Sequence, residues 1–448
     1  MMRSLPLAAA GLLWSLSALL PFSAQATEVQ EVVSARGLKA WLVEEHALPI
    51  VSARLVFEDS GAAYDIKGKE GRAQLAVGLL DEGAGDMDAT AFSEAIEDKA
   101  IRLSFGVDTD GVGVRVAAIS EHAPEAFRLM GLALTKPRLD AAAIERVRGQ
   151  MLTALASQEK SPGYLLQERW KQLLFPGHPY ANPVLGTSAS LKKLSRADLS
   201  DYVQRYLARS NLIIAVVGDV TPAQLKLWLD DNLGALPEKA RPDMQVADVA
   251  LPAKAQQVVV DSDVPQTLVA FGTPGISRTD PMFYDAYVMN YLIGGGSLSS
   301  LLNAEIREKR GLAYGVSTDL TPMRHAALWE GGFSTRNEKM AEALAALRGT
   351  LMHFAETGPD VMQLSEAKQF ITGSFVLRLD SNMEIANYLI TMQQYGLGRD
   401  YLDKRNALMN AVTREGVAAA AKKIADVNLL QTVLVGRPAL DAPKGERP

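Results

Sequence analysis

One plan is written twice along this chain. Near the end of the first half, Asn211-Leu-Ile-Ile-Ala-Val-Val-Gly-Asp-Val220 reads as a buried strand closed by glycine, and Asn428-Leu-Leu-Gln-Thr-Val-Leu-Val-Gly436 closes the second half in the same way. A helical stretch precedes each, over 195–206 and over 413–424. A spacing of a little over two hundred residues belongs to a duplicated domain, since solenoids repeat every ~20–50 residues. With 448 residues and 48% hydrophobic content, each copy can bury its own core.

Inside each half, short alternating strands mix with long helices. Val112, Val114 and Val116 alternate with Gly113 and Arg115 as in a half-exposed antiparallel strand, whereas 140–159 has helical periodicity and strong helix formers. The expected class is α+β, with two homologous domains, each a largely antiparallel sheet packed with helices on one face. Leu236-Pro-Glu-Lys-Ala-Arg-Pro-Asp243 is charged and twice marked by proline, which fits an exposed linker. The expected division is therefore a leader at 1–26, a first domain at 27–235, a linker at 236–255, a second domain at 256–440 and a polar tail at 441–448.

The leader combines Arg3, an apolar run from Leu5 to Leu20 broken by Pro6 and two serines, and the small-residue tripeptide Ala24-Gln25-Ala26. That is the pattern of a secretory signal cut after Ala26, and the run is short for a ~30 Å hydrocarbon core. Export to a periplasm follows, with no membrane attachment after cleavage. The absence of cysteine removes disulfides, thiolate metal sites and a lipid-bearing cysteine. Balanced charge, 46 basic against 52 acidic residues, gives no reason to expect nucleic acid or anionic lipid as partner.

Chemistry concentrates in Arg307-Glu-Lys-Arg-Gly-Leu-Ala-Tyr314. Before it, Gly294-Gly-Gly-Ser-Leu-Ser-Ser300 can open a helix at a serine cap, on which Leu301, Leu302 and Ile306 recur at helical spacing. Gly311 can end that helix, and Leu312-Ala-Tyr-Gly-Val-Ser-Thr318 reads as a strand, so the guanidinium and the phenol leave neighbouring elements. Such a pair suits a grip on a peptide carbonyl, although a helix-end salt bridge and a packed tyrosine are the plainer alternative. Arg310, beside Gly311, fits a solvated helix end. The glycine run lacks the lysine of a phosphate loop.

Familiar catalytic constellations are missing from the sequence. The five histidines, His46, His122, His178, His325 and His353, are too scattered for a local two-histidine site, and Glu45-His46 fails as an inverted zinc motif because Leu42 stands where its first histidine belongs. His46 reads as a loop or strand-end residue. Neither a Gly-x-Ser-x-Gly elbow nor a Walker loop occurs.

The stretches Gly71-Arg-Ala-Gln-Leu-Ala-Val-Gly-Leu-Leu80, Phe175-Pro-Gly-His-Pro-Tyr180, Leu185-Gly-Thr187, Val217-Gly-Asp-Val220, Val264-Pro-Gln-Thr267 and Leu292-Ile-Gly-Gly-Gly-Ser297, in this order with Arg307 and Tyr314, resemble the pitrilysin/insulinase (inverzincin) metallopeptidases, in the small paired-subunit branch. The resemblance implies half-shells that close around an extended peptide. It also implies a zinc motif, His-x-x-Glu-His, at a segment that here supplies Gln74, Val77 and Gly78, and a third ligand at a position here filled by Ala154. No metal site is expected in this chain. By the same resemblance, Gly294, Gly295, Gly296 and Ser297 would bind substrate, and Arg307 and Tyr314 would complete the zinc site of a partner. The expected function is thus a non-catalytic subunit paired with a zinc-bearing relative, with a structural or chaperone-like peptide scaffold as the alternative.

Overall fold

The computed structural model describes residues 28–440; the expected leader at 1–26 and tail at 441–448 lie outside them. The first half opens with β1 (Gln30–Val33), β2 (Lys39–Glu44) and β3 (Ile50–Glu58), followed by α1 (Arg72–Val77), a small hairpin of β4 (Gly83–Ala84) and β5 (Met87–Asp88), and α2 (Ala89–Glu97). A longer hairpin, β6 (Arg102–Val107) and β7 (Gly111–Ile119), leads to α3 (Ala123–Thr135), α4 (Ala141–Gln158), α5 (Pro162–Leu174), α6 (Ser188–Leu191) and α7 (Arg196–Tyr206), then β8 (Leu212–Gly218) and α8 (Pro222–Leu233). In the second half β9 (Gln256–Val260) and β10 (Gln266–Pro274) precede α9 (Phe283–Asn290), β11 (Val316–Pro322) and β12 (Ala327–Arg336). Then come α10 (Met340–Thr357), α11 (Val361–Gly373), α12 (Asn382–Gln394), α13 (Tyr401–Asn410), α14 (Arg414–Ile424) and β13 (Gln431–Val435).

Sheet order makes the duplication explicit. The first sheet runs β1-β2-β8-β3-β7-β6 and the second β9-β13-β10-β12-β11, so the second repeats the first without β1. Each contains one parallel pair, β2 with β8 and β9 with β13, among antiparallel neighbours. The helices before the closing strands begin where their caps stand: Ser195 accepts the Asp198 N–H and Thr413 accepts the Gly416 N–H. In β7, Val112, Val114 and Val116 are buried while Arg115 is exposed, because the alternation follows the pleat.

Helices cover one face of each sheet, and each sheet also receives a helix from the other half on its second face. Ala386, Leu389 and Ile390 of α12 pack on Val43, Val56, Ala215 and Val217 of the first sheet. Reciprocally, α5 packs on β10 and β13, and Val433 and Val435 join the core of the first half. Polar groups complete the seam. Arg324 pairs with Glu58 at 2.9 Å and Asp59 at 2.7 Å, the His325 N–H donates to Tyr180 Oη at 3.0 Å, and Trp170 Nε1 donates to Glu330 at 2.8 Å. Burial raises the Glu58 and Asp110 carboxyls above their ordinary range at this seam. Between the halves, the chain from 236 to 255 has neither helix nor strand, and it is tied back to the first half through the Arg241 N–H on Arg205 O and Asp243 on Arg72.

Candidate functional site

The segment expected to correspond to a zinc motif is helical. Gly71, at φ 86°, turns the chain into α1, and Asp65 accepts the N–H groups of Gly71 and Ala73. Burial pushes the Asp65 carboxyl up to about 7, although Arg72 lies 3.6 Å away. On this helix Gln74 is half-buried, Val77 is 1% exposed within the apolar core, and Gly78 stands at the C-terminal end. A β-carbon on Gly78 would sit 3.6 Å from Val147 of α4, and Ala154 lies two turns further along α4, ~10 Å along the axis. A zinc site needs about three strong N, O⁻ or S⁻ ligands. One amide, an isopropyl group, a hydrogen and a methyl do not fit that requirement, and no cluster of three metal-ligating side chains occurs among the described residues.

The second constellation is brought together. The Arg307 guanidinium lies 5.5 Å from the centre of the Tyr314 ring, and Tyr314 is 90% exposed. The approach differs from the expected cap-helix-strand path. The chain widens into a π-helical turn at Tyr291–Gly295, takes one 3-10 turn at Ser297–Ser299, and widens again at Asn303–Glu308. The helical segment resumes at Leu301, directly after Ser300, whose Oγ receives an Asn303 amide hydrogen bond. Gly311, at φ 60°, does terminate the segment: its N–H reaches Arg307 O, an αL cap, and the Leu312 N–H reaches Ile306 O. Because Leu312 is engaged in that cap, β11 begins only at Val316, and Tyr314 stands in the connection rather than in the strand. Arg310 pairs with Glu305 at the exposed helix end.

Two buried asparagines, absent from the sequence expectations, hold this geometry. Asn303 Nδ2 donates to Val316 O at 2.7 Å while its Oδ1 accepts the Val316 N–H at 3.0 Å, fastening the turn that bears Arg307 to the strand that follows Tyr314. Asn290 Oδ1 accepts from Thr318 Oγ1 and Trp329 Nε1 at 2.8 and 2.9 Å. An amide inside the apolar run Tyr287-Val-Met-Asn-Tyr-Leu-Ile293 was the available signal for Asn290, whereas Asn303 has polar neighbours and gave none. The glycine run is needed for close packing: a β-carbon at Gly294 would meet Thr318 Oγ1 at 2.5 Å. Gly294 and Gly296 are buried and Gly295 is exposed, while Ser297 starts the 3-10 turn. His46 stands just after β2, exposed, with Nδ1 2.7 Å from Asp219, whose carboxylate raises its basicity.

Duplicated sheets of one strand order, a paired Arg307 and Tyr314, and a helix α1 without metal-ligating side chains together outline an insulinase-like fold. The family described as Peptidase M16 inactive domain matches residues 193–371. A Helicobacter pylori protein described as non-peptidase homolog YmxG is 30% identical over 356 residues, 79% of this chain and 80% of the relative. The crystal structure of a peptidase M16 inactive domain from Pseudomonas fluorescens superposes with TM-score 0.86 at 28% identity, covering 93% of this chain and 99% of that one. The periplasmic protease PqqL from Escherichia coli shares the fold at TM-score 0.78 and 16% identity, covering 92% of this chain and 46% of its own. The chain belongs to the insulinase-like peptidase M16 family.

Proposed function

We propose that this protein is the non-catalytic, substrate-binding subunit of a periplasmic heteromeric zinc peptidase, supplying Arg307 and Tyr314 to the zinc site of a family relative. The observation that carries this reading is an asymmetry: a half-buried Arg307 paired with an exposed Tyr314 in the second half, and apolar or neutral groups at the expected metal positions of the first. The words non-peptidase homolog and inactive domain, borne by relatives, agree with it, and the fold is shared with a periplasmic protease, in keeping with the export expected from residues 1–26. In this role the Arg307 guanidinium donates to a peptide carbonyl of an extended substrate, and Tyr314 Oη donates to the oxygen that gains charge. The glycine turn 294–297 borders the same peptide. Zinc, held by the partner, would supply Lewis acidity.

One oxyanion donor contributes ~2.7–4 kcal/mol to the barrier, so Arg307→Ala or Tyr314→Phe should each lower turnover of the purified heteromeric complex roughly 10²–10³-fold. The melting temperature of this subunit should stay unchanged. Unaltered turnover in both variants would sink the proposal, as would pull-down of the chain from its periplasm without any relative bearing His-x-x-Glu-His, which would favour the scaffold role.

A further inference from the structure

The second face of the first sheet is only partly covered. Helix α12 lies over β3 and β8, leaving β7 and the edge strand β6 open, where Arg102, Ser104, Gly106 and Arg115 are exposed. Arg54 of β3 stands directly opposite Arg115 of β7, and Ser104 of β6 continues the row, with Arg102 two residues further along the edge. Like charges directly opposite one another across a sheet are destabilising. Among the described residues the field of Asp108 offsets this only in part. Arg54 Nη1 is bonded to Leu55 O and Val114 O, and the ion pairs of the described residues leave all three arginines without a carboxylate partner.

The surface beside them is bare. Gly113 and Gly106 face one another in register; a β-carbon on Gly113 would come 2.3 Å from Arg54 Nη1, whereas one on Gly106 would meet nothing within 4 Å. The Arg54 guanidinium thus lies on naked backbone in the shallow trough that Gly106 and Gly113 leave without side chains, with Arg115 alongside and Arg102 further along the edge strand. Burial, with Arg115 alongside, pulls the Arg54 guanidinium down to about 10 against the opposing field of Asp108. An incoming carboxylate would relieve that repulsion. In a chain of net charge −6, this is a positive surface on an acidic molecule.

We infer that this arginine-bearing trough selects extended peptide segments with acidic side chains, its arginines Arg54, Arg102 and Arg115 receiving carboxylates at alternate residues. The inference rests on the peptide-binding reading above and adds the substrate class to it. Alternation follows from geometry, since every second side chain of an extended segment faces the same side.

Fluorescence anisotropy with the full mature chain tests this, using three labelled twelve-residue peptides that differ only in carrying Glu, Gln or Lys at alternate positions. The Glu peptide should bind roughly tenfold more tightly than the Gln peptide, and the Lys peptide least. That advantage should shrink with rising salt. It should shrink severalfold in the Arg102→Gln/Arg115→Gln double variant, whose exposed sites leave the thermal melt in place; an undiminished advantage there overturns the inference. Equal binding of all three peptides overturns the acidic selection but leaves the peptide-binding role standing. If none binds, both fall. A single-stranded oligonucleotide that competes as well as the Glu peptide would also overturn the inference, by making the trough a general polyanion surface.

Discussion

Among the described residues neither Arg307 nor Tyr314 is fixed by a side-chain hydrogen bond; their meeting at 5.5 Å depends on the backbone that Asn303 fastens to Val316. Replacing Asn303 by alanine leaves a buried N–H and a buried carbonyl without partners, which costs about 2–3 kcal/mol. Urea unfolding of the mature chain should show that loss as a lower midpoint at unchanged slope. Asn303→Asp keeps the acceptor for the Val316 N–H but places a charge beside Val316 O, so it should rescue nothing. In the heteromeric complex, Asn303→Ala should also lower turnover with Arg307 and Tyr314 still present; full turnover alongside lost stability would mean the asparagine serves the fold alone.

At the scale of elements, α1 serves as a packing helix of the first half. Val77 is 1% exposed and belongs to the core of the first half, so Val77→Glu buries a carboxylate with no cation to meet it. Such an unpaired charge costs about 3–5 kcal/mol, whereas Ala154→Glu, on a half-buried helix face, should be tolerated. Denaturation midpoints of the two variants separate these cases; equal midpoints would contradict the packing argument. Helix α7 makes stability depend on pH through Asp198 in its first turn. Burial disfavours the Asp198 anion, but Lys69 and the Ser195 hydroxyl and N–H outweigh it and hold the carboxyl at about 2. Because the folded value lies below the unfolded one, the associated stability is present above the ordinary carboxylate range and is lost as pH falls toward 2. Lys69→Met should remove on the order of 1 kcal/mol at neutral pH, after solvent screening, and flatten stability between about pH 5 and 2.

These elements differ in how far they could be read from residues. The helical stretches over 195–206 and 413–424, the stop at Gly311 and the alternation of β7 depend on near neighbours, so sequence placed them. The widened turns at Tyr291–Gly295 and Asn303–Glu308 depend on contacts with β11 and Trp329, which no local pattern encodes. For the same reason the start of β11 was expected too early. The arginine trough was hidden differently: Arg54 and Arg115 are far apart in sequence, and only strand register sets them opposite one another.

At the scale of the whole molecule, the reciprocal placement of α5 and α12 decides how the halves unfold. Multidomain chains commonly melt in separate steps. Here Leu389 of α12, fully buried, belongs by sequence to the second half but packs on strands of the first, while Val433 and Val435 of the second sheet pack within the core of the first half. Neither sheet can lose its companion helix without exposing apolar surface, so the halves should unfold in one coupled transition. Leu389→Ala removes buried methyl groups and leaves a cavity, a change that costs about 2–5 kcal/mol. Native-state hydrogen exchange should register it at both β3 and β10, because opening of one sheet frees the helix that covers the other. Faster exchange confined to β3, with β10 unaltered, would show instead that the two halves open independently and that the shared core joins them only in the closed state.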